Sequence, residues 1–392
     1  MARPMSERQR RTTLVLVLLV VVVAVIAGSA SALGSRRSSQ IAAVASEFTN
    51  RVFANGAKIA HMTPQGHEAI SAPDDITYLG GHIFVGFQNG VGPQGQPSTM
   101  GNKKSTIVEF TLNGRVVDQW DVVGKCDGLT ADPVSDRVIA TVNEDANSSI
   151  YVIDPVPAGK AVHYRYNKPL PSRGGTDAIE VYRGLILLSA SAPGTTGAPA
   201  PQANYPAVYR AVFDANTHVA TLHALFYDEG LATVANTNSA QRGKRVRLAL
   251  TDPDSNEDVP GYADRFAGDF MLTSQGDKEQ IFVADAGGPH QALSVLKLTD
   301  SVDDTAWPSD RSGAIYTTDN SNNTINKITG PFKRGTVFVA DTPCDANGAP
   351  SICPGAGFPP NDLGRLNPRT GVITRVPLRG PAAAAQGMLF LP

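Results

Sequence analysis

The stretch PDDITYLGGHIFVGFQN, Pro73 to Asn89, returns as KCDGLTADPVSDRVIATVNED from Lys125 and again as GTDAIEVYRGLILLSAS from Gly175. A chain that repeats itself on this scale is confined to architectures that assemble like units side by side. Each copy sets an acidic residue two positions before an aliphatic one: Asp74-Asp75-Ile76, Asp127-Gly128-Leu129 and Asp177-Ala178-Ile179. Glu229-Gly230-Leu231 and Asp269-Phe270-Met271 continue the frame, Asp304-Thr305-Ala306 fits it weakly, and Gln386-Gly387-Met388 opens a last partial copy. The acids from Asp74 to Asp304 follow one another at 53, 50, 52, 40 and 35 residues, spacings of the size of a propeller blade.

Inside each unit a short strand, a turn rich in Gly or Asp and a second strand follow in order, the second strands being HIFVGF, RVIATV, LILLSA, QIFVAD and AIYTTD. IVEFTL, SIYVID, SVLKL and TINKIT read as the next strands, dense in β-branched residues and often alternating. With 37 Gly, 28 Pro and no long helix-period segment, the composition also favours many short strands. The expected fold is all-β, a β-propeller of seven blades if the Asp304 copy counts and six if it does not. No unit could bury its faces alone, so the ring must close. The chain ends in the single strand QGMLFLP, and TNRVFANG and KIAHMTP precede the first repeat. Closure is therefore expected by pairing the N-terminal strands with the C-terminal one.

The first residues carry Arg3, Arg8, Arg10 and Arg11, then a 15-residue apolar block from Leu14 to Gly28, then Ala30-Ser31-Ala32. This is the pattern of a secretory signal peptide over residues 1–32, or of an uncleaved membrane anchor. Either way the remainder is exported, as a linker over 33–46 and a single propeller over 47–392. Removing residues 1–32 leaves 30 basic and 35 acidic residues, a net charge of −5, which argues against a nucleic-acid partner. A monomer, with membrane contact only through its N-terminal segment, is expected. Cys344 and Cys353 enclose eight residues, and in an oxidising compartment they should form a disulfide worth about 2–3 kcal/mol. Cys126 is left over and reads as a buried, inert thiol.

In a propeller the innermost strand of each blade lines a central channel, and the recurring acid begins that strand. The frame therefore predicts that Asp74, Asp127, Asp177, Glu229 and Asp269 approach one another around the channel. Such a cluster must take up protons, draw in Lys or Arg, or hold a cation, and an all-oxygen set suits Ca²⁺ or Mg²⁺. A second reading makes each acid a turn cap that accepts backbone N–H groups, reproduced in every unit for structural reasons. TDPDSNEDVP spaces acids like an EF-hand loop but has Glu257 where the loop needs Gly and Ala263 where it needs Glu. It reads as an acidic surface turn. Gly90 to Gly95 match G-x-G-x-x-G, but Pro93 and Pro97 forbid the helix that a phosphate loop requires.

The frame D-G-L-T-A-D-P and the later I-Y-T-T-D-N-S-N-N-T-I resemble the repeats of the NHL, YVTN and gluconolactonase (senescence-marker-protein) propellers. The gluconolactonase resemblance implies one divalent cation in the channel, held by a first-blade Glu, an Asn in an N-G-L frame and an Asp in a Y-x-x-D frame. Asp127 stands in the second of these frames and Asp319 in the third, while Asp74 or Asp75 replaces the Glu. Such a cation would polarise a lactone or ester carbonyl, with a carboxylate as base toward water. The expected function is a ligand- or partner-binding module, a small molecule or protein being met at the channel mouth. The alternative is a divalent-cation-dependent lactonase or esterase.

Overall fold

In a computed structural model the described residues are 47–63, 65–155, 159–170, 175–193, 205–343 and 361–392. The expected signal or anchor, the linker up to residue 46, and the Cys344–Cys353 disulfide lie outside them. Regular structure among them consists of β-strands and one 3₁₀ turn, Gly56–Lys58. Among the described residues no helix is long and apolar enough to cross a membrane.

Most of the chain folds as four-strand meanders. Pro73–Leu79, His82–Phe87, Lys104–Thr111 and Val116–Val123 pair antiparallel in that order. The first turn, Gly80-Gly81, has φ of 59° and 90°, the left-handed pair that a two-residue hairpin needs and that glycine supplies without strain. Two further meanders run Cys126–Asp132, Arg137–Val142, Ser149–Ile153, Ala161–Tyr166 and Thr176–Tyr182, Leu185–Ala190, Pro206–Asp214, Val219–Tyr227. A short parallel contact of Arg165 with Val219 and Tyr166 with Ala220 joins their outer edges. A fourth meander, Pro253–Asp258, Phe270–Ser274, Glu279–Ala284 and Ala292–Lys297, is extended outward by Leu231–Val234 and Arg245–Arg247.

The last two sheets interlock. Val302–Ala306 pairs with Val337–Asp341, followed by Asp362–Leu366 and Ile373–Arg375. Between its first two strands the chain inserts a hairpin, Ala314–Asp319 and Thr324–Thr329, into the neighbouring sheet. There Ala314–Asp319 pairs with the C-terminal strand Met388–Leu391, and Thr324–Thr329 pairs with the N-terminal strand Phe48–Asn55. The first and last of the described strands thus share a sheet, with the hairpin between them rather than in direct contact.

Six apolar clusters lie between successive sheets. Phe84, Ile107 and Trp120 meet Leu129, Val138 and Ala140. Ile150 and Tyr164 meet Leu188 and Tyr209. Leu187 and Phe226 meet Phe270 and Ile281, and Met271 and Leu296 meet Val337 and Val339. Phe338 and Leu363 meet Phe48 and Ile328. The last cluster returns to the first sheet, where Tyr316 and Ile325 meet Ile83 and Val85. Both faces of each sheet are covered in this way, which explains why middle strands such as Ser149–Ile153 are buried at every residue instead of alternating. Full burial of one such side chain stabilises by about 1.5–3 kcal/mol, all of it lost to a sheet standing alone. The arrangement is all-β and propeller-like.

Candidate cation site in the acidic channel

The recurring acid sits on a recurring backbone defect. In the strand Pro73–Leu79 the pairing steps from Pro73–Phe87 to Ile76–Val85, so Asp74 and Asp75 together face Gly86. The same two-against-one bulge sets Asp127-Gly128 against Thr141, Asp177-Ala178 against Ser189, and Asp303-Asp304 against Ala340. In Pro253–Asp258 Asp254 is the single extra residue. A bulge bends the strand and re-aims the side chain of the extra residue. Here the five bulges bring seven acids to the wall of one cavity.

Neighbouring bulges touch. A Cβ on Gly128 would lie 2.6 Å from the Asp177 carbonyl oxygen, and one on Gly387 would lie 2.5 Å from that of Asp74. This close approach is why both positions hold glycine. The Thr141 hydroxyl donates to the Asp177 carbonyl and the Thr318 hydroxyl to the Asp74 carbonyl, which fixes the contacts. Asp75 accepts its own strand's Ile76 N–H (2.7 Å) and, from the next sheet, the Leu129 N–H (2.6 Å). Asp304 likewise accepts the Thr305 (2.6 Å) and Met388 (2.5 Å) N–H groups. In each bulge that carries two acids, the second one therefore ties its sheet to the next.

The cavity has a volume of about 720 Å³ and is lined, among the described residues, by eleven carboxyl side chains and one basic one, Lys125. At its mouth one carboxylate oxygen from each of Asp127, Glu144 and Asp177 lies within 4.8 Å of the others. Glu144 enters because Asn143 adopts φ 67°, a left-handed conformation that Asn tolerates, at the end of the second strand. The Lys125 Nζ stands 2.7 Å from Asp127 Oδ1 and also pairs with Glu144. Gln88 donates to Asp127 Oδ1 at 3.3 Å, whereas Asp127 Oδ2, in a residue only 5% exposed, meets no donor.

Burial dominates the electrostatics. It pushes Asp74 up to about 7, against the opposing pull of Lys125, and lifts Asp127 and Asp177 well above the carboxylate range, with Glu144 adding repulsion to both. Burial works against the Lys125 charge too, but Asp127, Glu144 and Asp74 more than offset it and raise the ammonium above the usual lysine range. Burial also lifts Glu180 to about 8 and Asp304 to about 6, and raises Asp75, Asp254 and Glu257. Glu257 and Asp304 are hydrogen-bonded to each other. Two carboxylates offer only acceptors, so one of this pair carries a proton.

Of the acids singled out from sequence, Asp74, Asp75, Asp127 and Asp177 line the cavity together. Glu229, Asp269 and Asp319 do not. Glu229 precedes an outer strand and pairs with Arg247 at 3.3 Å. Asp269 precedes Phe270–Ser274, the second strand of its sheet, so the real innermost strand there is Pro253–Asp258. The stretch read as a surface turn is channel wall. Asp319 ends the second strand of its sheet and caps a turn, accepting from Asn322 N (2.9 Å), Asn322 Nδ2 (2.8 Å) and Ala384 N (3.0 Å). Sequence reasoning missed Lys125, Glu144, Glu180, Asp254 and Glu257. Cys126 is a free, buried thiol packed with Phe84 and Trp120.

No known protein family matches the sequence, and no curated protein does. Among solved structures of similar fold are a putative gluconolactonase (TM-score 0.43, 11% identity, 86% of this chain and 83% of that one) and the periplasmic gluconolactonase of Pseudomonas aeruginosa (TM-score 0.41, 11% identity, 84% and 91%). A putative 6-phosphogluconolactonase from Bacteroides uniformis is another (TM-score 0.46, 9% identity, 88% and 100%). Likeness this distant carries nothing about activity, which has to be argued from the side chains.

Proposed function

We propose that this chain is an exported, monomeric β-propeller of six blades, the ring being completed by the sheet that holds both chain ends, and that it binds a divalent cation at the channel mouth. Six inter-sheet cores with the last returning to the first sheet support the blade number, and the Arg-rich, apolar and A-x-A segments support export. The single observation that carries the cation reading is the orphaned Asp127 Oδ2, held nearly dry beside Glu144 and Asp177 with no donor to satisfy it. Three hard oxygens in that position fit Ca²⁺ or Mg²⁺. The Lys125 ammonium now stands where such an ion would draw its oxygens together. Its side chain is 17% exposed, so it has a way out to the mouth when the ion enters.

The test is a melting curve with chelator, with Ca²⁺ and with Mg²⁺. A saturating cation should stabilise the wild type by about 2.7 kcal/mol at a hundredfold excess over its Kd. Asp127→Asn should lose most of that gain while keeping the fold. A wild-type curve unmoved by either ion at millimolar concentration would end the reading.

A metal-dependent lactone or ester hydrolase is the second reading, favoured by the hydrogen-bonded Glu257–Asp304 pair. An acid and a base stand together on the cavity wall, the arrangement that general acid–base catalysis uses. Lactone turnover by the Ca²⁺-loaded protein that vanishes in Glu257→Gln would establish it. Absence of turnover in the loaded wild type would leave the binding function alone.

A further inference from the structure

We infer that the inner reach of the channel takes a linear organic di- or triammonium ion, its charged ends held at two levels by carboxylates and by the neutral acceptor Asn256. The inference rests on the cation-binding reading and says what else that channel admits.

The mouth already shows the recognition. Lys125 is an alkylammonium on a methylene chain, and the protein seats it with Asp127 at 2.7 Å and with Glu144. Farther along the same innermost strands stands a second level of acids, Asp75, Glu180, Glu257 and Asp304. From Asp177 to Glu180 the strand advances three residues, one of them taken up by the bulge, or about 7 Å at the usual rise. The charges that act most strongly on this second level are other acids, such as Asp304 on Asp75 and Asp258 on Glu180. Among the described residues no Lys or Arg lines the cavity at this level.

A separate observation points to a ligand. Asn256 is 6% exposed and lines the cavity; its Nδ2 donates to the Ala178 carbonyl (3.1 Å), and its Oδ1 meets no donor. The neighbouring Ser255, 8% exposed, also has an unpartnered hydroxyl on this wall. Buried acceptors left without donors are costly, and here both residues line the cavity from which a donor can come.

Geometry separates an organic ammonium from a second metal ion. Asp75 and Asp304 have both oxygens engaged by backbone N–H groups, one of each from the neighbouring sheet. Pinned in this way, they cannot close around an ion that needs six to eight oxygens at about 2.3–2.6 Å. An ammonium asks for three acceptors at ordinary hydrogen-bond distance, and the lone pairs left over suffice. A bare metal ion would also leave most of the 720 Å³ as water, whereas a methylene chain fills it and can lie against Tyr78, Trp307 and Phe390 farther along the lining.

The experiment is calorimetric titration of the full chain with spermidine, 1,4-diaminobutane, butylamine and Ca²⁺ in turn. Spermidine should bind one per chain and at least about tenfold more tightly than butylamine, because a second charge-assisted contact adds more than one decade of affinity. Glu257→Gln should weaken spermidine by about 10–100-fold and leave Ca²⁺ unchanged, while Asp127→Asn should weaken Ca²⁺. Should Glu257→Gln fold poorly, Asn256→Leu, which keeps every charge, serves as the second variant, with weaker spermidine binding expected. No spermidine binding by the wild type, binding that these variants leave intact, or equal affinity for butylamine overturns the inference. If Ca²⁺ fails to bind while spermidine binds as described, the mouth-site reading falls and this one stands.

Discussion

Replacing Lys125 with Met should destabilise the protein by about 3–5 kcal/mol near pH 7.5, the usual loss when one partner of a buried ion pair is removed. Met keeps the length and apolar character of the stem, so the change isolates the charge. In the wild type this ammonium is, among the described residues, the only basic group on a wall that carries eleven carboxyls, and it pairs with Asp127 and Glu144. It also pulls the Asp74, Asp127 and Asp177 carboxyls down against burial. Without it these groups rise further and must bind protons or repel one another. The deficit should therefore shrink toward pH 5, where protons do the neutralising. Ca²⁺ should recover more stability in Lys125→Met than in the wild type, since no ammonium then competes for Asp127. Urea midpoints at the two pH values, with chelator and with Ca²⁺, measure all three effects. A variant as stable as the wild type at pH 7.5 would show that the ammonium is not what holds the mouth together.

How far the sequence disclosed this site depends on what the repeated frame encodes. An acid followed by an aliphatic residue marks the bulged start of an innermost strand at Asp74, Asp127 and Asp177. The same local chemistry, a carboxylate in a turn followed by an apolar strand start, also suits the outer strand after Glu229 and the second strand after Asp269. A short window cannot distinguish these places, because the difference lies in which strand pairs with which. The fourth innermost strand shows the converse. PDSNED has no aliphatic residue, yet it pairs along its length with Phe270–Ser274 and is buried at Pro253, Ser255 and Asn256. Its acids spaced like an EF-hand loop, and the failure of that match at Glu257 and Ala263, made it read as an acidic turn; the cavity and the neighbouring sheet made it a strand. The hairpin Ala314–Thr329, inserted between two strands of another sheet, follows from long-range pairing that no local pattern carries. Glu144 had one legible cue, the Asn143 before it, whose tolerance of positive φ turns the chain inward.

In the presence of chelator the wild type should lose stability steadily as pH rises from 5 to 8, a range in which many proteins are at their most stable. Burial holds Asp304 at about 6, Asp74 at about 7 and Glu180 at about 8, and raises Asp75, Asp127, Asp177, Asp254 and Glu257. In the unfolded chain all of these titrate near 4. Between those limits the folded protein binds more protons than the unfolded one, so each step up in pH favours unfolding, by about 1.4 kcal/mol per pH unit for every extra proton retained. The penalty is absent below pH 4 and fully developed once pH passes the folded values. Lys125 does not alter the slope here, because its raised value keeps it charged in both states throughout the window. A cation that binds the ionised acids replaces the protons, so Ca²⁺ should flatten the profile by stabilising most at pH 8 and least at pH 5. Urea denaturation across the range gives the curve. A profile that is flat or rises toward pH 8 without added cation would mean that the buried carboxyls are ionised and compensated in the folded protein, and the case for a channel built to receive positive charge would go with it.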